Sequence, residues 1–173
     1  AKKLFKKIMK TQIETGMPYL FFKDTVNKMN PNKHDGMIGS GNLCQESFSN
    51  FSPTKVGNVT INEKTGKINQ ESDSGYIHTC NLVSLNLSLL LDRETLAKSC
   101  SVAVKILDNT IDLTVTPIAE SNLHNNHYRT IGVGAMGLAD YLAINHLPYK
   151  GDAGTLEEVD RLFEFIAYNV VKT

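Results

Sequence analysis

The stretch at residues 40–47 reads Ser-Gly-Asn-Leu-Cys-Gln-Glu-Ser and holds three side chains suited to chemistry. Asn42, Cys44 and Glu46 occupy every second position within it. In an extended chain, alternate side chains point to the same side, so an amide, a thiol and a carboxylate would form one row facing one substrate. The competing interpretation is that Cys44 is a small buried core residue and Glu46 an ordinary exposed acid.

The other two cysteines differ in their surroundings. Cys80 lies in a short apolar element at residues 76–82, which predicts a strand. Cys100 belongs to the apolar stripe of a helix, so we expect it to pack in the core and to have no catalytic part. Three cysteines without Cys-x-x-Cys spacing argue against both a disulfide framework and a zinc knuckle.

Two further groups of residues, a histidine pair and a glycine motif, resemble ligand-binding patterns, but a structural role is favoured for both. His124 and His127 are three residues apart, but no acidic or thiol partner lies at ligand spacing, so a loop or helix surface is favoured over a metal site. Residues 132–137 contain a Gly-x-Gly-x-x-Gly match. A dinucleotide site needs a buried strand immediately before it, whereas residues 125–129 are polar. The glycines instead predict a short strand packed against a helix at residues 135–144.

Periodicity and capping residues predict the elements that carry these groups. They are a helix at residues 3–14 stopped by Gly16, a strand at 18–22 buried on both faces, an exposed hairpin at about 56–72 with Gly66 at its turn, the strand at 76–82, a helix capped by Asp92, and a last helix opened by a capping box of Thr155 and Glu158. Helices alternating with strands predict an α/β fold with mainly parallel strands.

Composition narrows the class of protein. The chain is 41% hydrophobic and 21% charged with a formal net charge of +0, which is typical of a globular protein and argues against a nucleic-acid partner. No apolar run approaches the roughly 18 residues of a membrane helix, and the first residues lack a signal core. We therefore expect a cytoplasmic protein without a membrane partner. The missing start and stop signals of the first and last helices predict that the chain is a piece of a longer one.

Four ordered motifs are similar to segments of one known family. They are Thr-Gly-Met-Pro-Tyr at 15–19 with Lys-Asp-Thr-Val-Asn at 23–27, Asn-Leu-Cys-Gln-Glu at 42–46, Cys-Asn-Leu-Val-Ser-Leu-Asn-Leu at 80–87, and Arg-Thr-Ile-Gly-Val-Gly-Ala-Met-Gly-Leu-Ala-Asp at 129–140. On these residues the chain resembles the large, catalytic subunit of ribonucleotide reductase over nearly its whole length. The Asn-Leu-Cys form resembles class I enzymes rather than the cobalamin-dependent class II, which tend to read Asn-Pro-Cys.

The resemblance implies a fold and a site. The chain, residues 1–173, would be a single segment of a ten-stranded α/β barrel with Cys44 at the tip of a central loop. Cys44 would become a thiyl radical that takes hydrogen from C3′ of a ribonucleoside diphosphate, and Glu46 would act as general base on the 3′ hydroxyl. Asn42 would bind a ribose hydroxyl. Cys80 matches one of the paired thiols that reduce the intermediate, and its partner lies outside the chain.

The resemblance also implies what the chain depends on. We expect no metal or cofactor bound to the chain itself. The parent enzyme would need a dimetal, radical-generating beta subunit, nucleotide effectors, thioredoxin or glutaredoxin, and the remainder of the alpha subunit. We therefore expect the isolated chain to be inactive. Two other functions remain open from the residues alone: a small thiol oxidoreductase using Cys44 and Cys80, and a nucleotide-binding module without catalysis that uses the glycines at 132–137.

Overall fold

The computed structural model describes all residues, 1–173, and consists of helices, short strands and the loops between them. In chain order the elements are α1 (Lys2–Thr15), α2 (Lys23–Met29), β1 (Lys55–Ile61), β2 (Ile68–Asp73), β3 (Leu82–Asn86), a 3-10 turn (Leu87–Leu89), α3 (Arg93–Leu113), α4 (Ala119–Tyr128), β4 (Gly132–Met136), α5 (Leu138–Ile144) and α6 (Ala153–Lys172). They divide into two compact units. The first comprises residues 1–79 and 116–127, and the second comprises residues 80–115 and 128–173.

The second unit is a small α/β layer. Strands β3 and β4 pair in parallel, with Leu82 opposite Gly132 and Asn86 opposite Met136. Apolar side chains of β3, α3, α5 and α6 form the main core under this sheet. The buried members are Leu85, Leu87, Leu96, Cys100, Ala103, Tyr141, Leu142, Leu162 and Ile166. The prediction that Cys100 packs in the core is therefore confirmed, and burial raises the pKa of its thiol.

Aspartates begin the two long helices of this unit. Asp92 accepts a hydrogen bond from the backbone N–H of Thr95, which confirms the predicted cap of α3. The capping box predicted for the last helix is wrong, because α6 begins three residues earlier and its cap is Asp152. Thr155 is already inside the helix. Glu158 instead accepts a hydrogen bond from the hydroxyl of Tyr141 at 2.7 Å.

The first unit begins as predicted and then departs from the prediction. Helix α1 ends at Gly16, whose φ of 74° is a left-handed conformation that glycine adopts without strain. The strand predicted at residues 18–22 is wrong, because this segment pairs with no other strand and most of its side chains are exposed. Its contact with the rest of the unit includes the ring of Phe21, which lies 5.5 Å from the ring of Phe48. The apolar composition of residues 18–22 does not by itself distinguish a paired strand from an extended connecting segment.

The surface hairpin is confirmed, and the strand after it is misplaced. Strands β1 and β2 are antiparallel, exposed along their whole length, and joined by a turn that contains Gly66. The predicted strand at residues 76–82 is wrong for most of its length. Tyr76 forms a single bridge to Ser52, and regular pairing begins only at Leu82.

The fold class is mixed α/β, in agreement with the coarse prediction. The strands form two separate two-stranded sheets, one antiparallel and one parallel, so the expectation of mainly parallel strands is wrong. These sheets do not form a closed barrel. No helix combines the length and the apolar character needed to cross a bilayer.

Candidate active-site loop

Residues 41–48 form a tight turn rather than an extended row. An antiparallel bridge between Gly41 and Phe48 closes the turn at its base. Inside it, the backbone N–H of Asn42 donates to the carbonyl of Ser47 at 3.3 Å, and the N–H of Gln45 donates to the carbonyl of Asn42 at 3.2 Å. Gln45 has a φ of 62°, which reverses the chain direction. The expected alternation of three side chains on one face is therefore wrong.

The side chain of Asn42 organises this turn. Its Oδ1 accepts hydrogen bonds from the backbone N–H groups of Glu46 at 3.0 Å and Ser47 at 3.1 Å. Its Nδ2 donates to Oε1 of Glu46 at 2.6 Å. Asparagine suits this position because its short amide reaches backbone groups a few residues further along the chain. The turn thus brings Asn42 and Glu46 into contact by a route different from the predicted alternation.

Cys44 lies near the tip of the same turn, next to Leu43, and both side chains are exposed. The backbone at Gly41 makes room for this tight closure. A Cβ at Gly41 would lie 2.5 Å from Cε1 of Phe48 and 2.9 Å from Oε1 of Gln45. The turn therefore exposes a free thiol, and it also holds an amide and a carboxylate together.

Asparagines also hold the chain that leads into the turn. Asn27, on α2, donates from Nδ2 to the carbonyl of Ile38 at 2.9 Å and accepts from the Ile38 N–H through Oδ1 at 2.8 Å. Asn30 donates to Oδ1 of Asn50 at 2.7 Å, and Asn50 donates to the carbonyl of Asn32 at 2.9 Å. These contacts fix both arms of the turn to α2 and to the loop after it.

Two histidines contact the arm that returns from the turn. Nε2 of His78 lies 2.6 Å from the hydroxyl of Ser47, and Nε2 of His124 lies 2.9 Å from the hydroxyl of Ser49. The two rings are 5.1 Å apart. Burial lowers the pKa of His78. Burial, followed by repulsion from His78, lowers the pKa of His124 to about 4.

The placement of the histidine pair corrects the sequence interpretation. Residues 119–128 form helix α4, as one alternative allowed, but His124 is fully buried rather than on the helix surface. His127 is partly exposed, and its Nε2 lies 2.8 Å from Oδ2 of Asp35. Sequence reasoning did not identify Ser47, Ser49 or His78. The two serines have a weak sequence signal, because they are two residues apart and can face the same side of the returning arm. His78 has no such local signal.

Cys80 and the glycine motif belong to the second unit. Cys80 is exposed and lies two residues before Leu82, the first residue of β3. Neither Cys44 nor Cys80 lies at a helix start, where a thiol is usually activated. Gly132 and Gly134 lie inside β4 rather than after it, and a Cβ at Gly132 would meet the Leu82 side chain at 2.6 Å. The predicted short strand is confirmed, but Gly132 and Gly134 lie against Leu82 and Ser84 of β3 rather than against a helix, and the helix that follows begins at Leu138 rather than at residue 135.

No group of three or more His, Cys, Asp or Glu side chains is arranged to hold a metal ion. The chemistry that the turn itself offers comes from three groups. These are the exposed thiol of Cys44, the carboxylate of Glu46 and the amide of Asn42. Together they can contribute a sulfur-centred reaction, a proton acceptor and a hydrogen-bond donor.

The whole chain, including this turn, is similar to one known protein family. A family model described as ribonucleotide reductase, barrel domain, matches residues 1–173. A ribonucleoside-diphosphate reductase subunit alpha from Synechocystis is 52% identical over 168 residues, covering 97% of this chain and 19% of that protein. The proteins of the same name from Treponema pallidum and Helicobacter pylori are 38% and 32% identical, and this chain matches 20% and 26% of their lengths. The chain thus spans about a fifth to a quarter of these relatives.

Proposed function

Because the chain belongs to the ribonucleotide reductase barrel-domain family, we propose that it is the segment of a class I large subunit that carries the reactive cysteine. The parent protein reduces ribonucleoside diphosphates to deoxyribonucleotides for DNA synthesis. The relatives are named for that reaction, and the chain spans a small part of each. Turnover therefore belongs to the full-length protein, in which this segment contributes to a ten-stranded α/β barrel.

The observation that supports this proposal best is the turn at residues 41–48. The sequence motif alone does not define a backbone conformation, and the structure shows that these residues form a closed turn. Asn42 and Glu46 share a 2.6 Å hydrogen bond, and Cys44 is exposed near the tip of the same turn. A thiol, a carboxylate and an amide carried by five consecutive residues can reach adjacent positions of one sugar ring.

Each group has a role in the proposed reaction. The Cys44 thiyl radical takes a hydrogen atom from C3′, so that an S–H bond forms and the C3′–H bond breaks. Glu46 takes the proton of the 3′ hydroxyl, and the 2′ hydroxyl leaves as water. Asn42 donates a hydrogen bond to a ribose hydroxyl. Cys80 and a second thiol outside this segment supply two electrons and two protons, one to the leaving water and one to C2′, and become a disulfide. Glu46 then returns its proton to the 3′ oxygen, and Cys44 returns its hydrogen atom to C3′, which regenerates the thiyl radical.

The reaction requires several partners that act on the full-length protein. A dimetal, radical-generating beta subunit oxidises Cys44, and thioredoxin or glutaredoxin reduces the disulfide. Nucleotide effectors and the remainder of the alpha subunit complete the enzyme, which we place in the cytoplasm. No metal or cofactor is assigned to residues of this segment.

A reconstitution assay tests the proposal. The full-length protein is mixed with the beta subunit, thioredoxin, its reductase and a ribonucleoside diphosphate, and deoxyribonucleotide is measured by chromatography. We expect product only when both subunits and the reductant are present, and none from the isolated 173-residue chain. Replacing Cys80 by serine should stop repeated turnover. Absence of product from the complete mixture, or product from the isolated chain with the beta subunit, would contradict the proposal.

A further inference from the structure

The segment that follows Glu46 is attached to His78 and His124 through two serine–histidine contacts. The Ser47 hydroxyl lies 2.6 Å from Nε2 of His78, and the Ser49 hydroxyl lies 2.9 Å from Nε2 of His124. Hydrogen bonds this short need a defined ring orientation as well as a defined serine rotamer. The returning arm is therefore anchored at two positions that are two residues apart.

Ser47 connects this anchor directly to the reactive turn. Its backbone N–H donates to Oδ1 of Asn42 at 3.1 Å, and its carbonyl accepts from the N–H of Asn42 at 3.3 Å. The same Asn42 side chain holds the carboxylate of Glu46. Any movement of Ser47 therefore moves two of the backbone groups that bind Asn42, and with them the side chain that holds Glu46.

His78 is itself held in place. Its ring lies 5.1 Å from that of His124, which is fully buried and has Tyr76 edge-on at 6.4 Å. Packing of this kind restricts a ring to one orientation. Burial also lowers the pKa of both histidines, so both rings are neutral near pH 7 and do not repel each other there.

From this geometry we propose that His78 is a positioning residue for the Asn42–Glu46 pair and acts through the hydroxyl of Ser47. The proposal rests on the proposed function of Asn42 and Glu46, and it adds a residue that touches neither substrate nor the reacting atoms. Functional groups held by such supporting contacts lose rate steeply when they shift by even a fraction of an ångström. Loss of the Ser47–His78 contact should therefore lower kcat more than it raises KM.

A double-mutant cycle in the full-length enzyme tests this assignment. Ser47→Ala and His78→Leu should each lower kcat about tenfold with little change in KM, and the double variant should be no worse than either single variant. His78→Gln should stay within about threefold of wild type, because its amide can reach the position of Nε2. His34→Gln, at an exposed histidine of the same unit, should not alter kcat. If His78→Leu does not fold, Ser47→Ala and His78→Gln decide the question.

A second measurement does not depend on turnover. The rate of Cys44 alkylation by iodoacetamide in the full-length protein, followed by peptide mass spectrometry, reports the position of the turn directly. Ser47→Ala and His78→Leu should change this rate by the same factor, and His34→Gln should leave it at the wild-type value. Wild-type rates for Ser47→Ala in both measurements, or losses that multiply in the double variant, would overturn the assignment. A wild-type enzyme that makes no deoxyribonucleotide would contradict the proposed function, and the alkylation rates would still decide the role of His78.

Discussion

Nδ2 of Asn42 donates a 2.6 Å hydrogen bond to Oε1 of Glu46, and Oδ1 of the same Asn42 accepts from the backbone of Glu46 and Ser47. One amide thus holds the carboxylate and shapes the turn that carries it. Substitution can separate the charge of Glu46 from the shape of the turn, because a glutamine at position 46 can still accept the hydrogen bond from Asn42.

Glu46→Gln should keep the shape of the turn and remove the proton acceptor. The glutamine oxygen can still accept from Asn42, so we expect substrate binding close to wild type and kcat lowered by about 10²-fold or more. Asn42→Ala removes three hydrogen bonds and should impair binding as well as kcat. Steady-state kinetics and substrate binding by calorimetry distinguish the two patterns. Equal effects of both substitutions on binding would argue against separate roles.

The buried His124 should make stability depend on pH. Its pKa is lowered to about 4 from an ordinary value of 6.5, so the unfolded chain binds a proton more readily than the folded one. The contribution is fully present above pH 6.5 and is lost as pH falls towards 4, by up to roughly 3 kcal/mol in total. Around its ring lie Ser49, His78, Tyr76, Asn125 and His127.

Thermal unfolding of the full-length protein between pH 7 and pH 5 tests this dependence. His124→Gln, which cannot titrate, should show a smaller fall in Tm over this range than wild type. His34→Gln, at an exposed position, should follow the wild-type curve. Parallel curves for wild type and His124→Gln would rule out His124 as a source of the pH dependence.

Gly75 should not tolerate a side chain. A Cβ there would lie 2.1 Å from the carbonyl oxygen of Ser52 and 2.6 Å from the carbonyl carbon of Pro53. Both are backbone atoms, so neither can rotate away, and the bridge between Ser52 and Tyr76 must open. We expect Gly75→Ala to cost about 3 kcal/mol or more. Gly151→Ala, which enters open space, should change the unfolding temperature little, and similar Tm values for the two variants would contradict this expectation.

Cys100 should matter for stability and not for the reaction. It is fully buried in the core of the second unit, with burial raising the pKa of its thiol. Cys100→Ala should retain wild-type turnover while losing about 1–2 kcal/mol of stability through the small cavity it leaves. Chemical denaturation and the turnover assay measure the two effects. A loss of turnover with unchanged stability would assign this thiol a redox part.

The sequence was a good guide where a residue's role depends on its immediate neighbours. Local periodicity and turn chemistry predicted four features correctly: the apolar stripe of α3, its cap at Asp92, the end of α1 at Gly16 and the surface hairpin. The cap of α6 was wrong because Asp152 and Thr155 both satisfy a capping pattern, and only the backbone decides between them. The segment at 18–22 was wrong because pairing depends on a partner strand elsewhere in the chain.

The shape of the stretch that carries Asn42, Cys44 and Glu46 differs from the predicted one. The alternation of Asn42, Cys44 and Glu46 in the sequence predicts an extended row. Hydrogen bonds of the Asn42 side chain instead hold the stretch in a turn. His78 lies 31 residues from its partner Ser47, and His124 lies 75 residues from Ser49. Contacts at such separations leave no local pattern, so only the folded chain reveals that these histidines support the turn.

The most direct test of the central claim replaces the Cys44 thiol in the full-length enzyme. Cys44→Ser keeps a side chain of similar size but cannot form a thiyl radical. Deoxyribonucleotide formation should fall to the background of the assay, while ribonucleoside diphosphate binding stays close to wild type and Cys100→Ala remains active. Appreciable deoxyribonucleotide formation by Cys44→Ser would show that the reaction does not depend on this thiol and would contradict the assignment of the turn.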